Sequence, residues 1–91
     1  MDSIEDLLKP QSFVHIRVTQ RNARKTITSI EGLNEEFDLK AILKALRKKL
    51  KCNGHLEEGV ICFQGDHRRV TKDWLVEEEI KERKHIIIHG Y

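Results

Sequence analysis

The sequence predicts an α+β domain: a two-layer sandwich in which a mixed sheet of four to five strands carries two helices packed on one face. Three observations predict it. Residues 13–20 alternate, with Val14, Ile16 and Val18 on one side and His15, Arg17 and Thr19 on the other, the period of a half-buried strand. Leu39, Ile42, Leu43, Leu46 and Leu50 recur at the spacing of an amphipathic helix. The segments follow one another as strand, strand, helix, strand, strand, helix, strand, an order that suits two layers around one core. With 91 residues, 38% of them apolar and 35% charged, there is material for a single modest core under a very polar surface.

Each element has local support. Lys25 to Ile30 is β-branched and pairs naturally with the first strand. Between them Arg21-Asn22-Ala23-Arg24 forms a hairpin tip, with Asn suited to the turn and Ala23 less suited if a positive φ is required. Gly32 closes the hairpin region. Asp38 is a good N-cap for the first helix, and Asn53-Gly54 is expected to stop it in a left-handed conformation. His55 to Glu57 and Val60 to Gln64 form a second, tight hairpin around Glu58-Gly59. Gly65-Asp66 starts the second helix with Asp66 as N-cap, and Val70, Trp74 and Leu75 form its apolar face. Glu77, Glu78 and Glu79 in its late turns oppose the helix dipole, so this end is expected to fray. His85 to His89 is a short apolar strand, expected in the sheet interior. Residues 1–12 are expected as a flexible N-terminal tail and residues 13–91 as one domain.

Net charge is only +2, but its distribution is uneven. No acid occurs from His15 to Ile30, where Arg17, Arg21, Arg24 and Lys25 lie. None occurs from Leu39 to His55, where Lys40, Lys44, Arg47, Lys48, Lys49 and Lys51 lie. Lys40, Lys44, Arg47, Lys48 and Lys51 repeat the apolar spacing one residue later, a basic stripe about 100° round the helix. Two acid-free windows suit a polyanionic partner, against the alternative of patchy but solvated surface. At the hairpin, Arg21, Arg24 and Lys25 can neutralise phosphates while Asn22 offers hydrogen bonds to bases or sugars. Few aromatic residues are present, which favours shape and phosphate recognition over base stacking.

Other chemistries find little support. No apolar run approaches the roughly 20 residues of a membrane span, and the acidic N-terminus resembles no targeting signal. Cys52 and Cys62 make no disulfide framework, so a reducing, cytoplasmic compartment is expected. Cys52, His55, Cys62 and His67 have zinc-compatible side chains, but their spacing matches no common finger, and no metal or cofactor is expected. No nucleophile carries a local signature, no glycine-rich phosphate loop is present, and no enzyme is expected.

Four motifs carry a family resemblance. Residues 14–26, reading VHIRVTQRNARKT, resemble the basic hairpin of eukaryotic translation initiation factor one. Residues 48–54, reading KKLKCNG, resemble that family's helix end. Gln64-Gly65-Asp66-His67-Arg68 resembles its second-helix start, and Ile88-His89-Gly90-Tyr91 its C-terminal ending. The likeness covers about residues 13–91, in order. It implies a non-catalytic, monomeric factor that binds the small ribosomal subunit near the P site and promotes scanning and start-codon fidelity. By position, Arg21, Asn22, Ala23, Arg24 and Lys25 would face ribosomal RNA, as would Lys40, Lys44, Arg47, Lys48 and Lys51. Glu57, Glu58 and Gly59 would lie toward initiator tRNA, and other initiation factors would be partners. Asn53, Gly54, Gln64, Gly65, Asp66, His67 and Arg68 are further candidates. Three departures stand out: Ala23 replaces the usual glycine of the hairpin tip, the second hairpin is shorter than in typical eukaryotic members, and the N-terminal tail is expected to be short. The alternative is an RNA- or factor-binding module of the same fold in non-standard initiation or ribosome recycling.

Overall fold

The computed structural model describes residues 13–33 and 37–90, so the tail expected over residues 1–12 lies outside the described residues. Strand β1 (Val14–Asn22) pairs antiparallel with β2 (Lys25–Glu31). Helix α1 (Leu39–Leu50) follows, then the hairpin β3 (Gly54–Glu57) and β4 (Val60–Gln64). Helix α2 (Arg68–Glu77), a 3₁₀ turn (Arg83–His85) and β5 (Ile86–Ile88) complete the fold. The five strands are ordered β3-β4-β2-β1-β5, with β5 parallel to β1 and all other pairs antiparallel. This is the expected α+β architecture. No helix among the described residues is long and apolar enough to cross a membrane.

Alternation decides which face is covered. Val14, Ile16, Ile30, Ile61, Phe63 and Ile86 point to one side and pack with Ile42 and Leu46 of α1 and Trp74 and Leu75 of α2 in one cluster. The opposite face carries His15, Arg17, Ser29, Glu31, His55, Cys62 and Gln64, by the same two-residue period. Glu58 and Gly59 both have positive φ (48° and 79°), as a two-residue primed turn requires. Strand β1 runs two residues further than expected, to Asn22, while β2 starts at Lys25 as expected, leaving only Ala23 and Arg24 at the tip. Neither has a positive φ, so Ala23 carries no backbone strain, and the Asn22 side-chain oxygen accepts from the Arg24 amide at 2.9 Å.

Three expectations are corrected. First, β5 is an edge strand and not an interior one. Among the described residues it pairs only with β1, and its apolar run reflects Ile86 buried against the helices while Ile88 stays 37% exposed. Second, the left-handed stop of α1 falls on Lys51 (φ 54°), whose amide bonds to the Arg47 carbonyl. Gly54 begins β3 instead, where a Cβ would meet the Phe63 ring at 2.5 Å and the Cys62 carbonyl oxygen at 2.8 Å. Third, His67 and not Asp66 holds the N-cap position of α2. The Asp66 carboxylate is taken by the Arg68 guanidinium at 2.9 and 2.8 Å, and only a long 3.4 Å contact reaches the Arg68 amide.

Candidate nucleic-acid interface

Because β4 lies beside β2, the basic hairpin and the C-terminal end of α1 are brought to one corner of the sheet. Two cavities meet there. One, of about 750 Å³, is lined by Lys44, Arg47, Lys48, Lys51, Cys52, Asn53, Gln64 and Gly65. The other, of about 280 Å³, is lined by Arg21, Arg24, Lys25, Thr26, Ile27, Gln64 and Gly65. Gln64 and Gly65 belong to both, so they form the floor of one groove whose walls carry seven cations and no acid. A field of one sign over a concave surface attracts a polyanion more strongly than the same charges spread out.

The floor is built by a buried hydroxyl. Thr28 is fully buried, donates to the Gly65 carbonyl at 2.6 Å and accepts from the His67 amide at 2.9 Å. The Gly65 amide bonds back to the Thr26 carbonyl at 2.8 Å. Gly65 has φ +97°, and a Cβ there would stand 2.7 Å from His67 Nε2, which itself bonds to the Gln64 carbonyl at 2.8 Å. Arg68 ties this turn to β5 by donating to the His89 carbonyl at 2.8 Å. Its hydrogen bond holds the Asp66 carboxyl below its ordinary range. Of the further candidates, then, Asp66 and Arg68 are paired with each other and His67 is bonded to Thr28 and to the Gln64 carbonyl, whereas Gln64, Gly65 and Asn53 line the groove.

Not every sequence-derived residue reaches this corner. Lys40 is exposed but does not line the groove. The oxygen of Asn22 is committed to its own turn. The Glu57-Glu58-Gly59 turn sits at the far end of β4, about 14 Å from Gln64 along the strand. The cysteines are free thiols held protonated. Burial raises Cys52 against the opposing pull of Arg47. Burial also raises Cys62, with Glu57 and Glu31 adding and Arg21 opposing. Among the described residues, no three His, Cys, Asp or Glu side chains group to hold a metal.

Sequence reasoning missed a second cluster, on the open sheet face. His15 Nδ1 and His89 Nε2 lie 2.9 Å apart with stacked rings, beside the Arg17–Glu31 ion pair at 3.1 Å. An N–H···N bond needs at least one neutral imidazole. Desolvation, then Arg17 and His15, hold His89 below the ordinary histidine range, with Glu31 opposing. A folded-state pKa depressed below the unfolded value of about 6.5 means stability present above that pH and lost as pH falls through the folded value. The midpoint of thermal unfolding is expected to drop below about pH 6.5, and His89→Gln to flatten that step; calorimetry from pH 7.5 downward checks both.

Comparisons with known proteins bear on the family and the fold. The family model for translation initiation factor SUI1 matches residues 10–81. Protein translation factor SUI1 of Eremothecium gossypii is 42% identical over 95 residues, covering 99% of this chain and 88% of that protein. Eukaryotic translation initiation factor eIF-1 of Saccharomyces cerevisiae is 40% identical over the same shares. The crystal structure of the C-terminal domain of human eIF2D matches with a TM-score of 0.69 at 22% identity, covering 86% of this chain and 43% of that one. That last likeness speaks to the fold alone. With the family model spanning most of its length and relatives at 40% and 42% identity, the chain belongs to the SUI1 family and is a translation initiation factor, not an enzyme.

Proposed function

We propose that the protein binds the small ribosomal subunit near the P site and promotes scanning and start-codon fidelity. The groove between the β1–β2 hairpin and α1 would lie on ribosomal RNA. The observation that supports this reading most is the joining of seven cations, from two separate chain segments, over one acid-free floor. Phosphate neutralisation supplies most of the affinity of such a surface. The Glu57-Glu58-Gly59 turn, at the far end of β4, would point away from the RNA contact and toward initiator tRNA. Contacts with other initiation factors, a cytoplasmic location and a monomeric state belong to the same reading.

The test is reporter translation from AUG and from near-cognate codons in an extract depleted of its own factor. Adding the protein is expected to suppress near-cognate initiation several-fold while AUG initiation persists. An unchanged ratio, with the protein co-sedimenting with no small subunit, would favour an interaction module acting elsewhere in initiation or recycling.

A further inference from the structure

A third cavity opens off the groove and has a different chemistry. It measures about 150 Å³ and is lined by Arg21, Ile27, Asn53, His55, Phe63 and Gln64, among others. Arg21, Ile27 and Gln64 also line the hairpin wall of the groove, so the two are continuous. It lies where the hairpin overhangs the last β2–β4 pair, Ile27 opposite Gln64.

Its walls are poorly designed for a phosphate. Only one cation, Arg21, is present. The β1–β2 register shifts between Gln20 and Asn22, so Arg21 falls at the bulge and is re-aimed relative to the ladder. It comes near enough to the Cys62 thiol to act on it, which puts its charge by the open sheet face. Gln64 donates its backbone amide to the Asn53 carbonyl at 3.0 Å, holding these two residues side by side. Their side-chain amides have no hydrogen-bond partner among the described residues. Each offers both donors and an acceptor, and an acceptor is wasted on a phosphate. Ile27 is half-buried and adds apolar surface, and His55 adds a flat ring on the neighbouring strand. At 150 Å³ the space is below the roughly 300–1,000 Å³ of sites for drug-sized ligands, which suits one ring system.

We infer that this pocket receives one unpaired RNA base, splayed from a strand whose phosphates lie in the groove. Arg21 and His55 cover its faces, and Asn53 and Gln64 hydrogen-bond its edge, the means by which proteins read single-stranded RNA. The inference rests on the RNA-binding reading of the groove and sharpens it: one nucleotide is held by its base as well as by its charge.

The test uses the full chain and two probes, a single-stranded RNA hexanucleotide and the same ribose-phosphate backbone without bases. Binding is followed by fluorescence anisotropy at low salt. The base-bearing strand is expected to bind at least fivefold tighter, from stacking on one base. Asn53→Ala is expected to shrink that ratio, whereas Lys48→Ala weakens both probes and leaves the ratio alone. Thermal melts of each variant confirm that it is folded. Equal affinity for the two probes would overturn the base pocket and leave the groove standing. Failure of both probes to bind would overturn the groove and the pocket with it.

Discussion

Arg24→Ala combined with Lys48→Ala is expected to lower affinity for isolated small ribosomal subunits by on the order of 50- to 100-fold at about 0.1 M salt. The two residues stand on opposite walls of the groove, one at the hairpin tip and one on α1. Each phosphate contact releases close to one counterion, so the double variant should also flatten the plot of log affinity against log salt by about two units. Both side chains are exposed and neither makes an ion pair among the described residues, so folding stability is expected to stay within about 0.5 kcal/mol. A control at the opposite end, Lys84→Ala, removes a cation that is already paired with Glu82 at 3.5 Å and lies outside the groove. Equal salt slopes for wild type and double variant would show that the two walls do not act on one strand of RNA.

Reading that groove from sequence was possible only in part, and the reason is physical. Periodicity is local. It gave β1 from Val14, Ile16 and Val18, and α1 from its leucines. Capping chemistry gave Asp38, whose side chain accepts from the Ala41 amide at 3.2 Å. Turn chemistry gave Glu58-Gly59. The two acid-free windows contain all seven cations that line the groove. Strand order is not local, and no period encodes that β4 lies beside β2. Yet that adjacency brings the hairpin to the end of α1. The same limit hid the His15–His89 pair, whose members are 74 residues apart, and let an apolar run pass for an interior strand when it lies at the edge. Asp66 departs from its expected capping role for a related reason. Its helix-capping chemistry is sound, but Arg68 two residues on claims the carboxylate, and the turn is fixed by a hydroxyl from another strand.

That hydroxyl supplies the other large expected effect: Thr28→Val will lower stability by about 2–4 kcal/mol. Valine matches threonine in shape, so the core loses no volume. What it removes is the donor to the Gly65 carbonyl and the acceptor for the His67 amide. Leaving such a group buried and unpaired costs about 1–3 kcal/mol each. A domain of this size holds on the order of 5–10 kcal/mol in total, so the thermal midpoint should fall by roughly 10–20 °C. Thr28→Ser keeps both hydrogen bonds and loses one buried methyl, a change of about 1 kcal/mol, and separates the hydroxyl from the volume. The effect on function should exceed the effect on folding. Gly65 is shared by both cavities, so a turn released from Thr28 lets the hairpin wall and the helix wall move independently. At a temperature where Thr28→Val is still folded, its subunit affinity is therefore expected to be lower than wild type while Thr28→Ser matches it. A Thr28→Val protein that melts within about 3 °C of wild type would remove the hydroxyl as the anchor of the groove floor.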